Sequence, residues 1–255
     1  MNFAGVQSVT IPEGDVRSIA IGGVTVWTKP NPLGSVAFSG AQNSNLYKLF
    51  SGNQPSTYTW SGWVKTDESP THGCFVKVGK IQETNTQGGG FAFGFGSTRF
   101  EPSYTGSNIV VLAESVAWKN GGSISNLTSW NHYAVVVSGS SFTVFKNGQS
   151  FYSASQSPRT ESPHGVYMGG YTGTTQIVER FLACKMTRCA MWSRTLSASE
   201  VAQDYADGKN APTTTSGLAH YWPMSSAANY LTDAVGSATL TAGVGGVTIS
   251  ADSPF

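Results

Sequence analysis

The chain has 255 residues, of which 39% are hydrophobic and only 11% are charged, and its formal net charge is +1. This length suits one large β-sandwich with a substantial core. Globular proteins usually carry about 25% charged residues, so the surface must be built from Ser, Thr, Asn and Gly. Because no run of Lys or Arg is present, we expect neither nucleic acid nor an anionic membrane as a partner.

Two further features bear on the cellular compartment. No apolar segment is long enough to cross a membrane, and residues 1–20 lack the basic start and apolar centre of an export signal. We therefore expect synthesis in a cytoplasm and no membrane insertion. Cys184 and Cys189 would lie about 16 Å apart in one strand, too far for a disulfide unless the strand is broken. We interpret them, together with Cys74, as buried apolar side chains.

The first thirty residues contain three short apolar runs in a β pattern: VQSVTI at 6–11, VRSIAI at 16–21 and VTVW at 24–27. The prolines of TKPNPLG then predict a linker. Three short strands cannot bury this apolar set alone, so we expect a partner surface to cover it. We interpret residues 1–30 as an attachment or multimerisation module. The side chains assigned to this contact are Val9, Ile11, Val16, Ile19, Ile21, Val26 and Trp27.

Strand patterns separated by Gly- and Ser-rich turns continue through residues 31–209 and predict a sandwich or jelly roll of eight or more strands. In GFAFGFG, Phe91, Phe93 and Phe95 share one face of the strand. The segment SWNHYAVVVSGSSFTVFKNGQSF, residues 129–151, contains two runs that are apolar on both faces, and the second run is followed by Lys-Asn-Gly. These runs indicate two adjacent strands that end in a tight turn.

One helix is predicted, at residues 197–208 in SASEVAQDYADG. Ser197 followed by Glu200 has the spacing of a capping box. Val201 and Tyr205 form an apolar i, i+4 pair, and Gly208 provides the stop signal. A helix this short is an accessory to the sheets.

Several short motifs occur in a fixed order between residues 34 and 209. TYTWSGWVK comes first, followed by Trp130-Asn131-His132, the hairpin ending in Asn147-Gly148, the strand ending in Met191-Trp192, and the Leu-Ser-x-x-Glu start of the helix. This order resembles the laminin G-like, concanavalin A-like jelly-roll domain. The resemblance implies an all-β fold, an antiparallel two-sheet concanavalin A-like jelly-roll sandwich with a small N-terminal β module and one short helix.

The same motif order indicates the core and the role of the last residues. We expect core positions for Trp63, Trp130, Val136, Trp192 and either Phe142 or Phe145. The segment LAHYWPM, followed by Asp233 and Gly236, resembles the family's first strand although it comes after the other motifs. We therefore interpret residues 210–255 as a β tail that either adds edge strands or begins an incomplete second unit.

The N-terminal segment VQSVTIPEGDVRSIAIGGVTVWTKP resembles a short β module at the start of structural proteins of tailed bacteriophages. Together with a sandwich domain and no export signal, this resemblance implies a virion surface protein made in the host cytoplasm. The protein would be either a capsid decoration or a tail-associated component. Its partners would be other virion proteins and further copies of itself in a homo-oligomer.

Catalysis is not expected from this sequence. Glucanases of this fold carry carboxylates at E-x-D-x-x-E spacing, which none of the fourteen acidic residues shows. The G-x-S-x-G, H-E-x-x-H and P-loop motifs are missing as well. His132, at the family's W-x-H position, is interpreted as a structural hydrogen-bonding residue. No cofactor is expected. Calcium stays open as an alternative, although Thr187 stands near the place where family members often have an Asp ligand.

Aromatic residues with polar neighbours indicate a glycan site, because a sugar ring stacks on an aromatic face while amides hydrogen-bond to its hydroxyls. The candidates are Trp118 with Asn120, Tyr104, Tyr171 and Tyr47. Alternatively, these rings fill subunit contacts in a multimer. A glycan-binding adhesin for attachment to a host surface is therefore the alternative to a structural virion role.

Overall fold

The computed structural model describes residues 18–21, 24–28, 34–67, 72–80, 90–96, 108–112, 118–155, 162–171 and 181–255. The chain divides into two compact units, Met1–Pro32 and Leu33–Phe255. No helix within the described residues is long and apolar enough to cross a membrane.

The first unit contains an antiparallel hairpin of β1 (Ser18–Ile21) and β2 (Val24–Thr28). Ile19 lies opposite Trp27, and the register shifts after Ile19. Four of the expected attachment residues belong to these two strands: Ile19, Ile21, Val26 and Trp27. The other three lie outside the described residues: Val9, Ile11 and Val16.

The second unit is a sandwich of two antiparallel sheets, which confirms the predicted jelly-roll fold. The eight-stranded sheet has the order β12-β11-β10-β5-β14-β3-β17, with β15 paired to β14. Its strands are β3 (Ser35–Ser39), β5 (Thr57–Thr66), β10 (Asn131–Ser138), β11 (Ser141–Lys146), β12 (Gln149–Ser155), β14 (Ala183–Trp192), β15 (Leu218–Trp222) and β17 (Thr248–Ser250).

The other sheet has seven strands in the order β16-β4-β13-β6-β7-β8-β9. Its strands are β4 (Leu46–Phe50), β6 (His72–Lys80), β7 (Gly90–Gly96), β8 (Asn108–Leu112), β9 (Trp118–Ser123), β13 (His164–Met168) and β16 (Thr241–Ala242). Residues 210–255 therefore contribute β15 and β17 to one sheet and β16 to the other.

The main core lies between the two sheets. Phe91, Phe93 and Phe95 all belong to it, as the alternation of GFAFGFG predicts. Trp60 and Tyr133 of the eight-stranded sheet lie in the same core. The ring of Phe75, from the seven-stranded sheet, contacts both of them. Burial of large aromatic side chains from both sheets is the main driving force that holds the sheets together.

The two apolar faces of β10 have separate partners. Tyr133, Val135 and Val137 face the main core. Ala134 and Val136 belong to a second apolar cluster, which includes Val201 of the helix α1 (Ala198–Ala206). The strand is therefore apolar on both sides because the second sheet covers one side and the helix covers the other.

The expected core positions are confirmed except for one. Val136, Phe142, Phe145 and Trp192 are buried in the apolar clusters, and Trp63 is buried on the face of β5 directed away from the main core. Trp130 is only half-buried, so its assignment to the core is wrong. Its indole Nε1 donates to Asp252 Oδ1 at 2.9 Å, and this polar contact keeps the ring near the surface.

The predicted turn and helix ends are confirmed by their backbone geometry. Asn147 and Gly148, with φ of 50° and 78°, occupy the two left-handed positions of the tight turn between β11 and β12. At the start of the helix, the Ser197 side chain accepts from the Glu200 backbone while the Glu200 side chain accepts from the Ser197 backbone. Gly208, with φ of +57°, follows the last helical turn.

The strand β14 is irregular at Arg188, a non-glycine residue with φ of 54°. Its first half pairs with β3, and its second half, from Cys189 onward, pairs with β15. This irregularity lies between Cys184 and Cys189, which form no disulfide. Cys74, Cys184 and Cys189 are all buried, as predicted. The irregularity directs the Arg188 side chain to helix α1, where its Nη2 lies 3.3 Å from Asp204 Oδ1.

Candidate functional site

The expected glycan residues that the structure describes lie on or beside the seven-stranded sheet, which does not bring them together at one place. Tyr47 lies on β4, Trp118 and Asn120 lie on β9, and Tyr171 follows shortly after β13. Tyr104 lies outside the described residues. Because four strands separate β4 from β9, Tyr47 lies far from Trp118 and Asn120 on this sheet.

Cross-strand register aligns several of these positions in one row. Met168, Val76 and Phe93 lie in the core. Their sequence neighbours in the row are Tyr167, Lys77 and Ala92. Because successive side chains of a strand point to opposite sides of the sheet, these three lie on the face directed away from the core, which we call the outer face. In order across the sheet, the aligned positions are Tyr47, Tyr167, Lys77, Ala92, Leu112 and Trp118. Beyond Tyr47, the row continues to Thr241 of β16.

Glycines occupy the neighbouring outer-face positions. Gly165 lies opposite both Leu49 and Gly79. A Cβ on Gly165 would stand 2.9 Å from Tyr167 Cε2, so the tyrosine ring leans over this glycine. Any larger residue at position 165 would collide with the Tyr167 ring and with the Lys48 carbonyl oxygen, which also lies 2.9 Å from that Cβ position.

Tyrosines pack against one another at the β4 end of the row. The rings of Tyr47 and Tyr167 are stacked, with centroids 6.1 Å apart and an interplanar angle of 21°. Burial, reinforced by the neighbouring Tyr47 hydroxyl, raises the pKa of Tyr167 well above its ordinary value. The phenol therefore keeps its proton at neutral pH and can donate a hydrogen bond. Lys77 Nζ lies 4.0 Å from the centroid of the Tyr171 ring, in cation–π geometry.

Among the outer-face residues whose exposure the structure describes, the accessible ones lie toward the two ends of the sheet. At the β4 end Tyr47 is half-buried, and Leu49 and Thr241 are exposed. At the β9 end Asn120 is exposed, and its side-chain oxygen accepts from the Gly122 backbone at 2.8 Å, which fixes the orientation of the amide. A ligand of the described outer face would therefore bind at one of these ends.

The prediction that Tyr171 offers an open ring to a sugar is wrong, because this side chain is only 1% exposed. Its polar neighbours GGYTGTT indicated a surface loop, but the ring packs over the Lys77 ammonium group instead. Sequence reasoning also missed Tyr167, Lys77 and Thr241. The alternation of HGVYM and HGCFVKVGK places Tyr167 and Lys77 opposite the core-facing positions, and this was the signal that could have identified them.

The sequence profile of the concanavalin A-like lectin/glucanases superfamily matches residues 38–202. The chain belongs to this superfamily. The resemblance inferred from the motif order is thereby confirmed, and no curated protein sequence matches the chain.

Two solved structures show the same fold at low sequence identity. One is a protein of Bacteroides ovatus proposed to bind carbohydrate, with a TM-score of 0.63 and 15% identity over 88% of this chain and 61% of that one. The other is a heptameric SAP-like pentraxin of Limulus polyphemus, with a TM-score of 0.58 and 14% identity over 88% of this chain and 97% of that one. Both likenesses concern the superfamily fold.

The superfamily includes glucanases, and a buried cluster of Ser61, His132 and Asp204 lies under helix α1. Ser61 Oγ donates to Asp204 Oδ2 at 2.6 Å, and His132 Nε2 lies 3.0 Å from the same oxygen. The carboxylate thus stands between serine and histidine, so the imidazole is not placed to activate the hydroxyl. Since all three residues are at most 1% exposed, the cluster fastens the helix to the sheet. The structural role predicted for His132 is confirmed.

Calcium binds to carboxylate and carbonyl oxygens. Among the described ranges, no three His, Cys, Asp or Glu side chains come together in a group that could hold a metal ion. Thr187, which stands near the position expected for an Asp ligand, donates through Oγ1 to the Pro223 carbonyl at 3.0 Å. This hydroxyl therefore connects β14 to the segment after β15.

Proposed function

We propose that this chain is a non-enzymatic carbohydrate-binding protein whose glycan site lies at the β4 end of the outer face. The observation that carries the proposal is the half-buried Tyr47 ring, backed by the stacked ring of Tyr167 and flanked by the exposed Thr241. Similarity to the Bacteroides ovatus protein proposed to bind carbohydrate supports it.

The chemistry of this end suits a neutral sugar. A pyranose ring presents an apolar face that packs on an aromatic ring, and its hydroxyls bond to neighbouring polar groups. Tyr167 holds the Tyr47 ring in place before the ligand arrives, so little side-chain freedom is lost on binding. The Thr241 hydroxyl supplies a donor and an acceptor beside the ring. The low content of charged residues, 11%, agrees with recognition by stacking and neutral hydrogen bonds.

The Tyr47→Ala substitution should weaken glycan binding at least about fivefold, because a stacking contact is worth roughly 1 kcal/mol beyond area burial. The ligand is first identified by screening the full chain against an array of bacterial envelope glycans. Dissociation constants of wild type and variant are then measured by calorimetry, and the recovered glycan is tested for new reducing ends, of which none is expected.

The matched control is Phe151→Ala, which removes a 37% exposed aromatic ring from the eight-stranded sheet. This variant should bind the glycan as tightly as wild type. The proposal fails if both substitutions weaken binding equally or if no glycan on the array is retained. Glycan cleavage that is lost on amidation of one acidic residue would show that the protein is an enzyme.

We also propose that residues 1–30 attach the sandwich to a virion of a tailed phage, or join copies of it. The support is the separate compact unit Met1–Pro32 with its β1–β2 hairpin, together with the resemblance of this segment to phage structural proteins. As either a capsid decoration or a tail-associated protein, the chain would display its glycan site outward.

Deletion of residues 1–30 should leave the sandwich folded, because its described strands begin at Ser35. The truncated protein should no longer be incorporated into particles, and it should no longer form the oligomer that the full chain forms. Co-sedimentation with particles and analytical ultracentrifugation measure these two properties. Equal incorporation of the shortened and full chains would contradict the attachment role and leave the glycan proposal untouched.

A further inference from the structure

Residues 251–255, which we call the strap, contact the eight-stranded sheet on the side away from the core. The carboxylate of Asp252 lies 2.8 Å from Lys65 Nζ and 3.6 Å from Lys185 Nζ. Its second oxygen accepts a hydrogen bond from Trp130 Nε1 at 2.9 Å. Two ammonium groups and one indole N–H therefore converge on a single carboxylate.

The two lysines form an unusual pair. Lys65 of β5 and Lys185 of β14 are direct cross-strand partners, and like charges placed opposite each other destabilise a sheet. Asp67 neutralises part of this charge through an ion pair with Lys185. Burial acts to raise the pKa of Asp252, but hydrogen bonds from Lys65 and Trp130 and the charge of Lys185 hold it below its ordinary value. The lysine pair therefore forms an anion-binding site.

An aromatic surface adjoins this anion-binding site. Trp63 precedes Lys65 by two positions on the same face of β5, a spacing of about 7 Å. The ring of Phe255 meets the Trp63 ring edge to face at 5.2 Å and 78°, and the Tyr205 ring lies 5.6 Å from the Trp63 ring. Trp63 is 9% exposed, whereas Phe255 is 45% exposed, so the strap shields the tryptophan.

We propose that this surface is a second binding site, specific for an acidic sugar, which the strap occupies as an internal competitor. The carboxylate of the sugar takes the place of Asp252 between Lys65 and Lys185. Its pyranose ring packs on Trp63 in place of Phe255. A uronic acid carries a carboxylate and an apolar ring face in one residue, which matches the two groups that the strap inserts.

The strap contacts are of a kind that a ligand can displace. The Asp252 side chain is 33% exposed, and exposed ion pairs are individually weak. When an internal competitor occupies a site, the apparent affinity for an external ligand equals the intrinsic affinity multiplied by the fraction of molecules in which the site is open. Loosening the strap should therefore raise the affinity for the sugar without any new contact. The site is separate from the outer face of the other sheet and does not rest on glycan binding there.

The test uses the full chain with Asp252→Asn and Phe255→Ala combined, and the probes are sodium glucuronate, glucose and sodium acetate. Titration calorimetry should show glucuronate binding at least tenfold tighter in this variant than in wild type. Glucose and acetate, each of which lacks one of the two groups, should bind far more weakly than glucuronate. Adding Lys65→Gln should abolish the gain.

Several results would overturn the proposal. An unchanged glucuronate affinity in a variant that melts cooperatively would do so, as would equal binding of acetate and glucuronate. Dimerisation of the variant with exclusion of glucuronate would assign the surface to a second copy of the chain. If the double variant does not fold, Phe255→Ala alone is measured, with a gain of about threefold expected and no gain contradicting the proposal. Tyr47→Ala should leave glucuronate binding at this site unchanged, which separates this test from that of the proposed function.

Discussion

Replacing Asp204 with alanine should lower the free energy of unfolding by about 3–5 kcal/mol, because the substitution leaves buried partners of a carboxylate without their counter-charge. Asp204 is 1% exposed and accepts contacts from Ser61, His132 and Arg188. When the carboxylate is removed, the guanidinium of Arg188, which is 2% exposed, stays buried without its ion-pair partner. Urea unfolding followed by circular dichroism measures the loss.

The matched control is Asp67→Asn, which breaks an ion pair whose carboxylate is 45% exposed. That change should cost no more than about 1 kcal/mol. Burial acts to raise the pKa of Asp204, but His132, Arg188 and Ser61 lower it below its ordinary value. The stabilisation is therefore present at neutral pH and is lost on acidification below about pH 4. Equal losses for the two variants at pH 7 would show that the cluster is not what fastens the helix.

Trp192→Ala should cost about 3–5 kcal/mol, since truncation of a buried aromatic side chain removes its contacts and leaves a cavity. The side chain is 0% exposed and belongs to the apolar cluster between helix α1 and the eight-stranded sheet. Its Nε1 also donates to the Thr214 carbonyl at 2.8 Å. The same unfolding experiment provides the measurement.

Trp192→Phe serves as the control for this position. It keeps an aromatic ring in the cluster and removes the hydrogen bond to the Thr214 carbonyl, so a smaller loss of about 1–2 kcal/mol is expected. Equal losses for the alanine and phenylalanine variants would show that the hydrogen bond, not the packing, stabilises the helix.

Local patterns were enough to predict much of the fold. The capping box of Ser197 and Glu200 depends on residues three apart, and the turn at Asn147-Gly148 depends on two left-handed positions. The alternation of Phe91, Phe93 and Phe95 follows from the pleat of one strand. Each of these features is decided within a short stretch of chain, so a single sequence contains the necessary information.

The candidate site could be predicted only in part, because it depends on register between strands that are distant in sequence. Aromatic composition identified Tyr47, but its stacking on Tyr167 requires β4 and β13 to pair in one particular register. The burial of Tyr171 against Lys77 is likewise a tertiary contact. The half-buried position of Trp130 depends on Asp252, a partner 122 residues away.

The pairing of β3 with β17 has a consequence for biosynthesis. Ser35 lies opposite Ser250, so more than 200 residues separate partners in one ladder. At roughly 5–20 residues per second, a ribosome needs on the order of 10–40 s between the two strands. During this interval the edge of β3 that will receive β17 is an open template for wrong pairing. Such long-range ladders slow the search for the native state, so the yield of folded protein should depend on how well nascent chains are kept apart.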